Sequence, residues 1–408
     1  MIQQTGSTVD VLYWGSFSGP LGEAEAEMVR MFNESQTDVV LEYQFQGTYE
    51  ETAQKLTAAL QAKQAPDVSL LSDVWWFKFF LSNTLAPMND FIAANEVDTA
   101  DYVESLYNEG VRNEQSFWLP FARSTPLFYY NKDMFAEAGL NEAPTTWQQI
   151  VDLAPKLVQK DGDTITRAAF SHPTAGSYVA WLFQGVVWQH GGLYSDPDFT
   201  IRINEENAVQ AGEFYRSTTA DGWATATEAF DVDFSNGLSA SMMASTGGLK
   251  GFTETIGDTF ELGTAFLPIA EEFGCCTGGA GLAIMAGSPK EKQEAAFKFI
   301  EYATGTEGTT WWSQNTGYMP VRKSAAESEA MQTFFAENPN FKVAVDQLAQ
   351  TRPQDAARVF IPNGDQIIGG GLEQILINNV PAQDAFDEVA QTLEEEAQPV
   401  LEAIEAMG

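Results

Sequence analysis

The chain has 408 residues, 44% of them hydrophobic, and this length fits two or three domains better than one. Its 21 Lys and Arg residues against 57 Asp and Glu residues give a net charge of −36. This charge excludes a nucleic-acid-binding surface, which needs a basic face, and argues against binding to an anionic membrane. No apolar run reaches the roughly 18 residues needed to cross a bilayer, so the composition indicates a globular protein with a heavily hydrated surface.

The first residues, MIQQTGSTVDVLYW, lack the basic start and the apolar stretch of a signal peptide. A strand signal nevertheless begins within the first ten residues of the chain. We therefore expect Met1 to stand where a secretion signal has been removed.

The opening segment alternates strand and helix signals. Apolar residues such as Ala26, Val29 and Phe32 share one helical face, whereas the strand segments are rich in β-branched and aromatic residues. The predicted order is strand Val9–Trp14, helix Glu23–Asn33, strand Val39–Phe45, helix Glu50–Ala62 and strand Val68–Leu71. This β-α-β-α-β order predicts a parallel sheet with helices on both faces.

A similar pattern resumes after Phe121. A helix is predicted to begin near Thr145, where Thr145 and Gln148 have the spacing of a capping box. The other predicted elements are the strands Pro126–Tyr130, Met242–Ser245, Thr264–Leu267 and Gly281–Ala286 and the helices Lys290–Thr304 and Ala382–Met407. There is no tandem repeat and no flexible linker, which favours two α/β lobes that exchange the chain more than once.

The sequence lacks the usual signatures of catalysis and cofactor binding. Its two histidines, His172 and His190, do not form a zinc-binding pattern, and no nucleophile elbow, P-loop or dinucleotide fingerprint is present. We therefore expect no metal, no cofactor and no enzymatic activity. The adjacent Cys275 and Cys276 cannot join distant segments, and they are either two buried thiols or a strained vicinal disulfide.

Aromatic residues stand beside Ser, Gly and Asp clusters at several predicted strand ends. They are either core residues or platforms for a ligand, because open α/β sheets bind ligands at strand ends. They comprise Trp75-Trp76, Tyr129-Tyr130, Trp181, Trp188, Trp311-Trp312 and Tyr318.

Several segments carry a resemblance to a known family. They are Phe121-Ala-Arg-Ser-Thr-Pro-Leu-Phe-Tyr-Tyr-Asn-Lys-Asp133, Ala138-Gly-Leu140, Pro144-Thr-Thr-Trp147, Trp14-Gly-Ser-Phe-Ser-Gly19, Leu21-Gly22, Gly47-Thr-Tyr-Glu50, Met243-Ala-Ser-Thr-Gly247, Gly278-Gly-Ala280 and Asn315-Thr-Gly-Tyr-Met-Pro320. Together they resemble the family 1 extracellular solute-binding proteins, the maltose-binding-like group, and most nearly their glycerol-3-phosphate-binding branch. The resemblance runs from about Val9 to the last helix.

The resemblance implies a two-lobed α/β periplasmic-binding-protein fold of the class II type, with a hinge of two or three crossovers. We expect residues 1–121 plus 274–315 to form the N-terminal lobe, and residues 122–273 plus 316–408 to form the C-terminal lobe. The family closes its lobes over a ligand and presents it to a membrane permease.

The same resemblance implies a set of ligand-binding residues. Tyr49 and Asp73 match positions that hold glycerol or head-group hydroxyls, and Ser124 matches the serine at the lobe crossover. The phosphate-binding positions of the family are matched by Ser245, Gly279, Tyr318 and Arg358. A guanidinium, hydroxyls and a backbone N–H can together satisfy a phosphate that has left water.

The chain departs from the family pattern in two places. Where the family has a Trp pair, this sequence has Ser177 and Ala180, with Trp181 one step out of register, and the turn between Arg358 and Gly364 is longer. The smaller side chains would enlarge the cleft. A phosphodiester such as glycerophosphocholine would then fit, with its quaternary ammonium group on Trp75, Trp76 or Trp181 near Asp73.

The sequence therefore predicts the substrate-binding subunit of an ABC importer that captures sn-glycerol 3-phosphate or a glycerophosphodiester. The nearest alternative is an oligosaccharide-binding protein of the same fold, and a rival from another class is an extracellular hydrolase. We expect a monomer in the periplasm or outside the cell, associated with the membrane through an ABC permease.

Overall fold

The computed structural model describes residues 8–174 and 176–407. The chain forms two compact units and passes between them after Arg123, Gly278 and Glu337. The first unit holds the residues up to Arg123 together with Gly279–Glu337, and the second holds Ser124–Gly278 together with the residues from Asn338. Residues 1–7, the first half of the segment on which the expectation of a removed signal rests, lie outside the described residues.

The strands are β1 (Val9–Gly15), β2 (Val39–Phe45), β3 (Val68–Ser72), β4 (Val111–Arg112), β5 (Gln115–Ser116), β6 (Leu119–Ser124), β7 (Pro126–Asn131), β8 (Gln159–Asp161), β9 (Thr164–Arg167), β10 (Phe170–His172), β11 (Ala224–Ala226), β12 (Ser241–Ser245), β13 (Leu262–Ala265) and β14 (Gly278–Ile284).

The helices are α1 (Gly19–Ser35), α2 (Tyr49–Ala62), α3 (Trp76–Leu81), α4 (Asn89–Ala94), α5 (Glu104–Asn108), α6 (Lys132–Ala138), α7 (Trp147–Leu157), α8 (Gly176–Gln189), α9 (Glu206–Ala220), α10 (Phe230–Ser235), α11 (Leu249–Ile256), α12 (Lys290–Thr304), α13 (Thr306–Thr316), α14 (Lys323–Ala326), α15 (Glu329–Glu337), α16 (Pro339–Leu348), α17 (Ala356–Val359), α18 (Gly364–Asn378) and α19 (Ala382–Met407). Short 3-10 turns occupy Thr99–Asp101 and Thr246–Gly248.

The sheet of the first unit has the strand order β2-β1-β3-β14-β6. β1 pairs in parallel with β2 and with β3, which confirms the parallel arrangement predicted for the opening segment. β14 pairs antiparallel to β3, so the sheet is mixed. Parallel neighbours need a crossover connection, whereas β14 enters this sheet directly from the second unit.

The first residues of α1 and α2 are suited to helix N-termini. α1 starts at Gly19, earlier than the predicted Glu23, and Pro20 lies in its first turn, where a missing backbone N–H costs no hydrogen bond. α2 starts with a capping box in which Thr48 and Glu51 each bond the other's backbone. This cap fixes the backbone on which Tyr49 stands.

The sheet of the second unit has the strand order β11-β10-β12-β7-β13. β10 is parallel to β11 and β12, whereas β7 is antiparallel to both β12 and β13. α18 packs against α8, α9 and α19 in the same unit. β12 ends at Ser245, which is one of the predicted ligand residues. The 3-10 turn Thr246–Gly248 follows it directly.

Two sequence predictions in the second unit need correction. The capping box of α7 joins Thr146 and Gln149, and Thr146 has the extended backbone that precedes the helix. Gln149 Oε1 also accepts from Thr145, which makes the two threonines hard to distinguish by spacing. β13 spans Leu262–Ala265 rather than Thr264–Leu267, because its pairing with β7 begins at Leu262 opposite Asn131.

Each unit has its own hydrophobic core. The core of the first unit includes Val11, Leu70, Phe299 and Trp312, and that of the second includes Phe128, Trp147, Phe183 and Phe386. Large apolar side chains of each unit are thus removed from water within that unit, and their burial is the main driving force for its folding.

The residues between 316 and 337 lie in the first unit, whereas the expected boundary at 315 would assign them to the second. Tyr318 stacks on Trp312, and the Arg322 guanidinium donates to the carbonyl oxygens of Thr304 and Asp98, all within the first unit. The other expected boundaries, at 121 and 274, lie within a few residues of the crossings after Arg123 and Gly278. Aromatic stacking and a buried arginine therefore hold this segment to the first unit.

Cys275 and Cys276 are buried thiols and do not form a disulfide. Burial raises the pKa of the Cys275 thiol to about 12, and the Thr125 hydroxyl lies 2.9 Å from its Sγ. Of the two interpretations drawn from the sequence, the buried thiols are confirmed.

None of the helices in the described residues is both long enough and apolar enough to span a membrane.

Candidate functional site

Two predicted ligand residues of the first unit, Tyr49 and Tyr318, lie close enough to influence each other's pKa although 269 positions separate them in the chain. The ring of Phe17 lies 5.8 Å from each of them, and Trp312 stacks on Tyr318 at 5.9 Å. Burial raises the pKa of Tyr318 to about 12 and that of Tyr49 well above its ordinary value. Both phenols therefore remain neutral at physiological pH and can donate hydrogen bonds.

Asp73 and Gly279 complete this group, which we call the first-unit cluster: Tyr49, Asp73, Gly279 and Tyr318. Asp73 follows β3, and its backbone N–H donates to the carbonyl oxygen of Gly279 at 3.0 Å. The Asp73 carboxylate raises the pKa of both tyrosines electrostatically. The structure thus brings together the four predicted residues that belong to the first unit.

Gly279 must be glycine for two reasons. Its φ of +107° lies in a region that other residues rarely adopt. A Cβ there would lie 2.1 Å from the carbonyl oxygen of Ala122, on β6. The tight approach of β14 to β6 therefore depends on this position.

Arg123 is a buried cation of the first unit that the sequence analysis did not single out. Its Nη2 forms an ion pair with Glu109, and its guanidinium lies 4.9 Å from the ring centroid of Trp118. Within residues 8–174 and 176–407, its Nε and Nη1 have no hydrogen-bond partner. Its positive charge lowers the pKa of Tyr318, so it lies close enough to act on the first-unit cluster.

Arg358 is the principal cationic candidate of the second unit. It lies on α17 and is 4% exposed. Its Nη2 donates to the carbonyl oxygen of Ser177 at 3.1 Å, and its Nη1 donates to Gln354 Oε1. The buried Nε has no partner in the described part of the chain, and no carboxylate there forms a salt bridge with this guanidinium.

Tyr178 links Arg358 to two other predicted residues. It follows Ser177 on α8, and its Oη accepts from the backbone N–H of Ser245 at 2.6 Å. Its ring lies 5.7 Å from that of Trp181. The second-unit cluster, as we define it, therefore consists of Ser177, Tyr178, Trp181, Ser245 and Arg358.

The Ser245 backbone in this cluster is held from both sides. Its carbonyl oxygen accepts from Tyr129 Oη at 2.8 Å, and its Oγ accepts from the backbone N–H of Gly247 at 3.1 Å. The indole N–H of the buried Trp181 donates to the carbonyl oxygen of Thr277 at 3.1 Å. These bonds give the cluster a fixed geometry.

Ser124 is the last residue of β6 and the first residue of the second unit. Its side chain is buried. The next residue, Thr125, accepts through its carbonyl oxygen from the backbone N–H of Thr246 at 3.2 Å. Ser124 is thus connected to the turn that follows Ser245, but it has no direct bond to the residues of the second-unit cluster within the described chain.

The three tryptophans proposed for a quaternary ammonium group have different surroundings. Trp76 is 1% exposed and stacks on Trp118 at 6.0 Å, so it belongs to the core and the prediction for it is wrong. Trp75 is half-buried, two residues after Asp73, and Lys78 Nζ lies 5.3 Å from its ring centroid. Trp75 is therefore the tryptophan next to Asp73 that retains solvent access.

No group of three metal-binding side chains suited to a metal ion occurs among the described residues. His172 is buried, and burial lowers its pKa to about 3, which leaves the imidazole neutral beside the Thr218 hydroxyl. The two clusters therefore offer neutral donors, one carboxylate and one guanidinium group.

Sequence reasoning missed Glu25, Arg123 and Tyr178. Glu25 replaces an apolar residue in the stripe formed by Met28, Val29 and Phe32, and this break in the pattern could have identified it as a buried acid. Tyr178 lies one helical turn before Trp181, and this spacing was a weaker signal. For Arg123 we find no comparable signal, since its burial depends on distant residues.

The family model for bacterial extracellular solute-binding proteins matches residues 27–343. Among curated relatives, the sn-glycerol-3-phosphate-binding periplasmic protein UgpB of Pectobacterium atrosepticum is 25% identical over 408 residues, covering 94% of this chain and 90% of the relative. The protein of the same name from Escherichia coli K12 is 25% identical over 398 residues, with coverages of 92% and 89%.

Solved structures show the same similarity. UgpB from Mycobacterium tuberculosis in complex with glycerophosphocholine is 38% identical, with a TM-score of 0.89 over 96% of this chain and 99% of that one. The GacH receptor of Streptomyces glaucescens has a TM-score of 0.83 at 18% identity, over 95% and 98% of the two chains, and supports the periplasmic-binding-protein fold alone. Since the family model spans more than half of the sequence, the chain belongs to the bacterial extracellular solute-binding proteins.

Proposed function

We propose that the protein is the substrate-binding subunit of an ABC importer and that it captures sn-glycerol 3-phosphate or a glycerophosphodiester such as glycerophosphocholine. It binds this ligand without transforming it, as a monomer in the periplasm or outside the cell, and delivers it to a membrane permease. The relatives named for glycerol-3-phosphate binding, and the complex of a relative with glycerophosphocholine, support this ligand class.

The observation that carries the proposal is the Arg358 guanidinium. Burying a cation without an anionic partner is costly, because the charge loses its hydration. Arg358 is buried, bonds a carbonyl oxygen and an amide oxygen, and keeps its Nε without a partner among the described residues. A phosphate group offers this guanidinium a charge-assisted and bidentate partner.

The neighbours of Arg358 suit the same anion. Ser245 and Tyr178 bring a hydroxyl, a phenol and a backbone segment to the second-unit cluster, and its serine hydroxyl can donate to phosphate oxygens. We assign Arg358 and Ser245 of this unit to the phosphate. The family resemblance gives the same role to Gly279 and Tyr318 of the first unit, and Ser124 matches the serine at the lobe crossover.

Asp73 and Tyr49 are assigned to the hydroxyl groups of the glycerol or head group. A carboxylate accepts hydrogen bonds from two neighbouring hydroxyls, and the neutral Tyr49 phenol can donate or accept. The half-buried Trp75, close to Asp73 in the chain, supplies an aromatic face for a quaternary ammonium group, and Trp181 of the second unit is the other candidate for this role. A choline diester is therefore the preferred ligand.

Calorimetric titration of the wild-type protein with glycerophosphocholine, glycerol 3-phosphate, glycerol and maltose tests the proposal. We expect binding of the two phosphate ligands and no heat with glycerol or maltose. Heat with maltose alone would identify the protein as an oligosaccharide-binding protein and contradict the proposal.

The variant Arg358→Ala tests the assignment of the phosphate. We expect its affinity for either phosphate ligand to fall by roughly 30-fold to 5,000-fold, which corresponds to the loss of one partner of a buried charge pair. Arg202→Ala is the matched control, since Arg202 belongs to the same unit but has a side chain that is 39% exposed and already paired with Asp196 and Glu205. Equal affinities of the two variants would contradict the assignment, provided that circular dichroism shows both to be folded.

A further inference from the structure

Glu25 is a buried carboxyl group on α1 that faces uncharged donors. Its Oε1 accepts from Tyr13 Oη at 2.5 Å, and its Oε2 accepts from Tyr43 Oη at 2.9 Å and from the backbone N–H of Phe17 at 3.3 Å. No Lys, Arg or His in the described sequence forms a salt bridge with it. A Cβ on residue 15 would lie 2.5 Å from both carboxylate oxygens, so the chain passes Glu25 at Gly15, where there is no side chain.

The segment that Glu25 holds carries Phe17 to the first-unit cluster. The Phe17 ring lies 5.8 Å from the rings of both Tyr49 and Tyr318 and 6.0 Å from Trp312. The backbone of this residue is thus fixed by Glu25, while its ring is fixed by the two tyrosines assigned to the ligand. Phe17 therefore contacts Glu25 through its backbone N–H and the two tyrosines through its ring.

We propose that Glu25 is a positioning residue for ligand binding, which holds the turn at Ser16 and Phe17 against Tyr49 and Tyr318 and whose protonation is coupled to an anion bound there. This inference rests on the proposed function. Glu25 acts through Phe17 and through its charge, and it is not itself assigned to the ligand.

The ionisation of Glu25 supports this coupling. Burial raises its pKa from the ordinary 4.5 to about 7, and the donors from Tyr13, Tyr43 and Phe17 only partly oppose this rise. The titratable groups that face it from β1, β2, α2 and the segment after α13 are tyrosines, and burial raises the pKa of each: Tyr13, Tyr43, Tyr49 and Tyr318. These phenols stay neutral between about pH 5 and 9. The other charges that act on the two cluster tyrosines are Asp73, which raises the pKa of both, and Arg123, which lowers the pKa of Tyr318.

The sign of the coupling follows from electrostatics. A carboxylate and a phosphate repel one another across a poorly solvated interior, so an anionic ligand favours protonated Glu25. By linkage, the protein takes up protons on binding, and its affinity rises as the pH falls through about 7.

Glycerophosphocholine is the suitable probe, because its phosphodiester and quaternary ammonium groups do not titrate near neutral pH. We expect the wild-type affinity to increase about tenfold between about pH 9 and pH 5.5, with an uptake of about half a proton per ligand near pH 7.5. Titration calorimetry in two buffers of different ionisation enthalpy measures this uptake. Glu25→Gln should abolish it, whereas Glu27→Gln, which removes an exposed charge from the same helix, should retain it.

Tyr43→Phe provides a second test that does not require Glu25 to be replaced. Loss of the Tyr43 hydroxyl removes a donor that stabilises the carboxylate, so the pH at the midpoint of the affinity change should shift upward. A purely structural role of Glu25 would not produce this shift.

The outcomes are separable. If the wild-type protein binds neither glycerophosphocholine nor glycerol 3-phosphate at any pH, the proposed function fails. If it binds but shows no proton uptake, or if Glu25→Gln takes up protons as the wild type does, the role of Glu25 is overturned. An unchanged midpoint in Tyr43→Phe would overturn it as well.

Discussion

Replacing Gly279 by alanine tests the packing on which the first-unit cluster depends. The added Cβ would lie 2.1 Å from the carbonyl oxygen of Ala122, and the φ of +107° would be imposed on a residue with a side chain. The unfavourable backbone costs about 1–2 kcal/mol, and the displacement of backbone in a packed region costs about 1–3 kcal/mol more. We therefore expect a loss of about 2–5 kcal/mol in the free energy of unfolding.

Thermal unfolding followed by circular dichroism measures this loss. For a unit of this size, the loss corresponds to a decrease in Tm of about 5 to 15 °C. Ligand affinity should fall in parallel, because the Gly279 carbonyl oxygen fixes the backbone of Asp73. Gly287→Ala is the matched control in the same unit, since a Cβ there meets no atom within 4 Å. A Tm of Gly279→Ala within about 1 °C of the control would refute the reasoning, because overpacking at a well-packed site costs more than that.

Two further predictions concern buried titratable groups. Because the pKa of Glu25 is raised from 4.5 to about 7 in the folded protein, the folded state retains a proton that the unfolded state loses, and stability falls by about 3 kcal/mol as the pH rises from about 4.5 to about 7. Glu25→Gln should remove this loss. The free energy of unfolding of the variant minus that of the wild type, measured by urea denaturation, should therefore be larger at pH 8 than at pH 4.5. An equal difference at the two pH values would contradict the prediction. Cys275 and Cys276 are buried, and burial raises the pKa of Cys275 to about 12, so iodoacetamide at pH 8 should leave the native protein unmodified and should add two adducts after denaturation without reductant. A requirement for reductant would show that the pair is a disulfide.

The strongly acidic composition is compatible with an anionic ligand, because the acidic residues act at the hydrated surface whereas the proposed ligand contacts are buried. The net charge of −36 is distributed over a hydrated exterior, where salt screens interactions beyond about 8 Å. Arg358 and Arg123 are buried, where screening is weaker and a charge acts more strongly on its neighbours. The sign of a binding site is therefore set by a few interior guanidinium groups rather than by the total charge.

Local patterns in the sequence determined most of the secondary structure. Alternation and helical periodicity placed β2 at Val39–Phe45 and α12 at Lys290–Thr304 with the bounds that the structure has. The period of an apolar stripe depends only on neighbouring residues, so it can be read without knowledge of the fold. The observed boundaries differ from the predicted ones where a helix cap sets the first residue of a helix, as at Thr146, or where strand pairing sets the range of a strand, as in β13.

The sequence by itself also determined the family, the two-unit α/β architecture and the residues worth testing, because the motifs that carry the family resemblance are short and contiguous. The tertiary structure alone decided that Tyr49 lies near Tyr318, that Trp76 is a core residue and that the buried Glu25 and Arg358 form no salt bridge with any described residue. The physical reason is that burial and pairing depend on contacts between residues far apart in the chain, which packing of the whole unit creates and which no local pattern encodes.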